Sequence, residues 1–397
     1  MDLSIYKLNF VKKYGIIIEN FKEVIVINTI DASFLKTNIE KIAGYDLAEN
    51  NVFGSSYIVC QNGSTIYKNH FGCCDDNTMF RLASMTKPIT AFATLILIDR
   101  GMLALEDKVE DYLPEFKDIH VITPEGEDLG VSKIAITIKH LLTHTSGFGG
   151  TKVVNMSDED ITSIKNTVKC FAKAGLDFEP FSKEAYSAFA AHDALALIIE
   201  RLTGKDYEDF LQEEIFSPCG MTNTTFVPSE EQWSRMMTMH NKKDGKSCVG
   251  QTVGGCVFEN FPATHKLAGA GLTSTLTDYS LFAQMLLNKG KINGIQIISK
   301  DTFDLMPQPH APFNIMFGHE QWGLSVRVVT DNNYRYLPVG SYGWSGAYGT
   351  HFWIDPVNNI TAVFMKNSLF DGGAGNLSAQ RFEKAVFAAI QKQEVIL

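Results

Sequence analysis

The sequence predicts an α+β protein, an antiparallel sheet flanked by helices and interrupted by a mainly helical insertion. Three observations carry that expectation. A hairpin pattern lies at 52–70, where Ser55-Ser56-Tyr57-Ile58-Val59-Cys60 and Thr65-Ile66-Tyr67 flank Asn62-Gly63, a dipeptide suited to a two-residue turn. Strand-like runs dominate again at 323–329, 342–354 and 360–365. Between these regions, from about 105 to 260, helical segments alternate with long loops. The expected organisation is an N-terminal extension at 1–50, a body built from 51–110 and 265–397, and a helical insertion at 111–264. Body and insertion form one catalytic unit with the site between them, where pockets commonly form.

Each element has a local reason. Ser33 opens a short amphipathic segment with Lys36, Glu40 and Lys41 on its wet face. Residues 88–97 are apolar on nearly every face, which predicts a buried helix. That helix ends at Arg100-Gly101, a basic last turn followed by a glycine cap. Further helices are expected at 138–143, 158–174, 193–202 and 207–216, the last stopping before Pro218. A loop-rich stretch with Gly245, Gly250, Gly254 and Gly255 occupies 228–264, and helices follow at 277–288 and 378–391.

Composition narrows the function classes. The chain has 397 residues, 45% hydrophobic and 20% charged, as in ordinary soluble globular proteins with a substantial core. A net charge of -10 without a basic run argues against nucleic acid. No run of 18 apolar residues suggests a membrane span, and the first residues do not read as a secretory signal. Seven cysteines without framework spacing, including adjacent Cys73 and Cys74, favour reduced thiols and a cytoplasmic location. Nothing in the sequence sets an oligomeric state.

Several motifs are bland. His140 and His144 have the spacing of a helical metal pair, but Leu141-Leu142-Thr143 between them lacks the zincin glutamate, so both are expected to be structural. His351 is expected to pack or to wall a pocket. Gly147-Phe148-Gly149-Gly150-Thr151-Lys152 lacks phosphate-loop spacing, and neither a cofactor nor a metal is called for.

One motif is not bland. Ser84-Met85-Thr86-Lys87 places a lysine one helical turn after a serine, on the same face. An amine of depressed pKa there takes the serine's proton and makes it an acyl-transfer nucleophile. The pattern also occurs at Ser33-Phe34-Leu35-Lys36, but only Ser84 opens a buried helix, whose positive end favours an anion. Downstream, Tyr186-Ser187-Ala188 offers a second proton carrier if Lys87 lowers the tyrosine's pKa. The small-residue run Tyr342-Gly343-Trp344-Ser345-Gly346-Ala347 is a strand that a substrate can approach closely.

With these parts in order, the chain resembles the serine β-lactamase/penicillin-binding superfamily, and most of all the class C β-lactamase-like proteins and family VIII carboxylesterases. The likeness runs from about 50 to 390. It includes Phe80-Arg81-Leu82-Ala83-Ser84-Met85-Thr86-Lys87-Pro88, Leu141-Leu142-Thr143-His144-Thr145-Ser146-Gly147, Pro218-Cys219-Gly220-Met221 and Gly269-Ala270-Gly271-Leu272. The resemblance implies a β-lactamase/transpeptidase-like fold, Ser84 as nucleophile, and Lys87 and Tyr186 as proton-transfer partners. It also implies an oxyanion hole from the backbone N–H groups of Ser84 and Ala347, and substrate contacts from Trp344, Ser345 and Gly346.

Two departures bear on substrate. The second motif of true class C enzymes is Tyr-x-Asn; here Ala188 stands in place of the amide that braces the lysine. The third is Lys-Thr-Gly; here Trp344-Ser345-Gly346 has lost the cation that binds a substrate carboxylate. Losing such a charge-assisted contact costs roughly 1.5–3 kcal/mol. The esterase-like members share both departures, so the expectation is a hydrolase of small carboxylic esters working through an acyl-enzyme. Weak β-lactamase, D-amino-acid peptidase, amidase or acyltransferase chemistry is the alternative, favoured if a distant Arg or Lys restores the clamp. A silent binding domain has no chemical need for the trio.

Overall fold

The computed structural model describes residues 28–149, 163–251, 266–315, 318–333 and 336–395. Residues 1–27 of the expected extension, the first residues of the helix expected from 158, Cys256, and Gly254 and Gly255 lie outside the described residues.

Strands β1 (Gly54–Gln61) and β2 (Ser64–Gly72) meet across Asn62 and Gly63, whose φ values of 53° and 76° are those a tight hairpin turn needs. Six more strands follow late in the chain: β3 (Asn314–Ile315), β4 (Glu320–Trp322), β5 (Arg327–Val329), β6 (Tyr342–Ser345), β7 (His351–Asp355) and β8 (Ile360–Met365). All eight form one sheet in the order β3-β4-β5-β6-β7-β8-β1-β2, with every neighbouring pair antiparallel. The β1–β8 pairing sets Ile58 opposite Val363 and ties the early hairpin to the late strands.

Two expected strands are corrected. The run 342–354 is not one strand but β6 and β7, separated by a turn in which Gly349 takes φ 92°. The run 323–329 is extended only over β5. Ser325 adopts φ 58° and donates its N–H to the Leu142 carbonyl at 2.7 Å, which ends the ladder.

Helices cover both faces: α1 (Ala32–Ala48), α2 (Lys87–Asp99), α3 (Ile164–Ala174), α4 (Ala190–Thr203), α5 (Leu276–Leu287) and α6 (Leu377–Ile390). Side chains alternate along the strands, so each sheet face feeds its own core. On one face α1 and α6 pack through Leu35, Ile39, Phe382 and Val386 onto Tyr57, Trp353 and Phe364. The helix at 32–48 thus packs as part of the body. On the other face Ile58, Phe352 and Val363 join the larger core, which runs through α2, α4 and α5. α2 has no exposed side, as its composition predicts, and ends with Gly101 at φ 68°.

The second serine–lysine copy is a surface feature. Ser33 donates to the Asp31 cap at 2.5 Å, and Lys36 faces solvent 3.9 Å from Glu40. Among the described residues no helix is long and apolar enough to cross a membrane.

Candidate active site

Ser84 sits in a tight turn, Ala83–Thr86, that runs directly into α2 at Lys87. Ala83, just before it, is held at φ 48°. A non-glycine residue there costs on the order of 1–3 kcal/mol, and such strain gathers at functional sites. Surrounding contacts enforce it. Leu82 donates to the Leu272 carbonyl at 2.9 Å, and its own carbonyl accepts from the Thr350 hydroxyl at 2.9 Å. A Cβ on Gly346 would lie 2.2 Å from that same carbonyl. The Ser84 turn and the β6–β7 turn are therefore clasped backbone to backbone. Gly346 takes part in that clasp against Leu82, while Gly343 lies against the Phe352 carbonyl of β7.

Lys87 is fully buried. Its amine donates to the Ala188 carbonyl at 2.7 Å, the Gly269 carbonyl at 2.8 Å and Ser84 Oγ at 3.4 Å. Two main-chain carbonyls thus brace the lysine where Ala188 supplies no side-chain amide. Gly269 must be glycine to do so, since a Cβ would lie 2.8 Å from the Ala188 carbonyl and 3.2 Å from the amine. Burial drives the lysine's pKa down to about 7, against an opposing pull from the Asp193 carboxylate. Asp193 is itself fixed by the Ala268 N–H at 3.0 Å and the Thr167 hydroxyl at 2.9 Å.

Tyr186 lies beside Ser84 on the same cavity. The lysine amine lies 4.9 Å from the centre of its ring, and its hydroxyl accepts from the Trp344 indole at 3.2 Å. The condition that Lys87 lower its pKa is not met. Burial pushes the phenol up to about 12, outweighing hydrogen bonds with Ser84 and Trp344. Tyr186 therefore keeps its proton at neutral pH, and the Lys87 amine is close to its midpoint.

Behind the pair lie two buried histidines. The His144 ring packs 4.6 Å from Tyr186 and 4.4 Å from Trp322, and its Nδ1 accepts the Ser187 N–H at 3.0 Å. His192 Nε2 lies 2.9 Å from Ser325 Oγ. Burial, with Lys87 nearby, holds both well below the usual imidazole range, so both are neutral packing groups. His140 caps its own short helix through Thr137.

Ser84, Tyr186, Trp344, Ser345 and Ala347 line one cavity of about 340 Å³, together with Glu184, Ile315, Trp322, Gly373 and Ala374. Gly346 is not on its wall. Beneath the wall runs a buried chain of polar groups. Ser345 Oγ meets His351 Nδ1 at 2.8 Å, and His351 Nε2 meets Glu383 at 3.1 Å. Arg327 then bridges Glu383 at 2.5 Å and Glu320 at 3.1 Å. Burial pushes the Glu383 carboxyl up, but Arg327 and His351 outweigh it and leave the group below its ordinary range. Of these residues the sequence offered only His351 and Ser345. Glu184 and Trp322 went unread, since a lone glutamate and a lone tryptophan carry no spacing signal.

A family model described as Beta-lactamase matches residues 39–384. An uncharacterized protein of Mycobacterium tuberculosis is 30% identical over 316 residues, 73% of this chain and 77% of the relative. Esterase EstB of Burkholderia gladioli is 26% identical over 390 residues, covering 88% and 95% of the two chains. Among solved structures, EstCE1, described as a hydrolase with promiscuous acyltransferase activity, superposes with a TM-score of 0.74. It does so at 22% identity over 90% of this chain and 99% of its own.

Proposed function

The chain belongs to the beta-lactamase family, and we propose that it is a serine hydrolase of small carboxylic esters that works through an acyl-enzyme on Ser84. The observation that carries this reading is a serine 3.4 Å from a buried lysine amine, in a cavity whose described wall has aromatic rings and no lysine or arginine. The name of EstB and the description of EstCE1 support ester chemistry.

In this mechanism Ser84 Oγ attacks the ester carbonyl carbon as its proton passes to Lys87, whose amine is about half in the free-base form near neutral pH. The N–H groups of Ser84 and Ala347 hold the developing oxyanion. As the C–O bond breaks, Tyr186 gives its proton to the leaving alkoxide and regains one from the Lys87 ammonium beside it. Water then attacks the acyl carbon, Lys87 takes its proton, and Ser84 leaves with a proton restored. Trp344 and Ser345 contact the substrate. We also propose that 51–110 with 265–397 and the inserted 111–264 act as one catalytic unit. Ser84 and Trp344 come from the first and Tyr186 from the second. The free thiols among the described cysteines support a cytoplasmic location.

Hydrolysis of p-nitrophenyl acetate and butyrate beside nitrocefin tests the reading. Ser84→Ala is expected to lose at least about 10³-fold in ester turnover and all labelling by a fluorophosphonate. Ester turnover that survives the substitution, or nitrocefin as the better substrate, would overturn it.

The pH profile follows from Lys87. Only the neutral amine accepts a proton, so kcat/KM is expected to rise with pH through about 7. Asp193→Asn removes the charge that holds the ammonium and moves that limb to lower pH. A limb that stays put, or moves up, refutes Lys87 as the titrating base.

A further inference from the structure

We propose that the site selects acyl substrates bearing an ammonium group, with Glu184 as the specificity-determining residue. The location of this selection at Ser84 rests on the ester-hydrolase reading above. Glu184 lies on the same cavity wall as Ser84 and Tyr186, and it is the one charged side chain among the described residues lining that cavity. The Trp322 indole donates to its Oε1 at 2.9 Å and pins the carboxylate there. Among the described residues no cation pairs with it. Lys183, its chain neighbour, instead lies 4.8 Å over the Phe178 ring, and Lys87 is engaged with two carbonyls behind the serine.

The surrounding rings suit the same ligand. Tyr186, Trp322 and Trp344 form a continuous aromatic wall, with centroid separations of 6.0 Å, 5.5 Å and 4.6 Å. Ring faces attract ammonium groups, tryptophan most strongly. Half-burial pushes the Glu184 carboxyl up, the mark of an anion short of solvent and cationic partners. An arriving ammonium supplies the missing charge, whereas a substrate carboxylate meets repulsion. The wall is therefore opposite in sign to one that carries a lysine at position 344. Trp344 alone favours a neutral substrate; Glu184 adds a preference for a positive one.

Two isosteric ester pairs test this, one with the charge on each side of the ester. They are butyrylcholine against 3,3-dimethylbutyl butyrate, and the p-nitrophenyl esters of 4-(trimethylammonio)butyrate and 5,5-dimethylhexanoate. At least one pair is expected to favour the cation by about tenfold or more in kcat/KM. Glu184→Gln should bring that ratio toward one, and Glu184→Asp should retain its sign. Ratios near one in both wild-type pairs, or a preference that survives Glu184→Gln, overturn the proposal.

A binding measurement separates this failure from failure of the hydrolase reading. Titrating tryptophan fluorescence with choline and with 3,3-dimethylbutan-1-ol needs no turnover. Saturable quenching by choline that is lost in Glu184→Gln supports the cation site even if no ester is cleaved. Equal response to the two ligands overturns the cation site even if esters are cleaved well.

Discussion

Lys87→Met is expected to abolish ester turnover while making the protein more stable at neutral pH. The amine lies in a fully buried position, and burial holds its pKa near 7. In the unfolded chain the same amine binds its proton up to the ordinary lysine range. Between those two values the unfolded state holds more protons, so folding stability falls as pH drops from about 10 toward 7 and then levels. Methionine carries no such penalty. Its removal of two hydrogen bonds to the Ala188 and Gly269 carbonyls works the other way. A net gain of roughly 1–3 kcal/mol is expected at pH 7, shrinking as pH rises and the wild-type amine becomes neutral in both states. Urea unfolding of both proteins at pH 7 and pH 10 decides it. A variant less stable at pH 7, or a difference that grows with pH, would mean that the lysine is not held against its ordinary ionisation.

Arg327→Met should have the largest destabilising effect of any single change proposed here. Arg327 is 2% exposed and bridges Glu320 on β4 to Glu383 on α6. Its loss leaves two buried carboxylates facing each other without the cation between them. Breaking a buried pair in this way typically costs about 3–5 kcal/mol. Burial already pushes Glu320 up despite Arg327, so in the variant one carboxyl is expected to take a proton and stability to recover toward acid pH. The triple change with Glu320→Gln and Glu383→Gln should restore most of the loss. A cost under about 1 kcal/mol for Arg327→Met alone would show that the network is better solvated than its geometry implies.

The same residues explain what was readable in advance. Ser84 and Lys87 are legible because they are one turn apart at the start of an apolar helix, so local periodicity places both side chains. Asn62-Gly63 is legible because two positive φ values require such residues. The link from Ser345 through His351 and Glu383 to Arg327 joins three strands and a helix. No local pattern encodes those pairings. Nor does an alternation of apolar residues distinguish one strand at 342–354 from two, because the turn between them is written only in Gly349 and its neighbours. The Tyr186 motif is visible in the sequence, but the direction of its pKa shift is not, because burial is a property of the assembled core.

The contact between Leu82 and Gly346 leaves no space for even one carbon atom between the Ser84 turn and the end of β6. Position 344, two residues away, points its side chain into the cavity without sharing in that contact. If Ser84 is the nucleophile and Trp344 contacts the substrate, as proposed, the residues that choose the substrate can be exchanged over evolutionary time while the attacking oxygen stays where it is. One scaffold can then acquire new specificities without having to reinvent its chemistry.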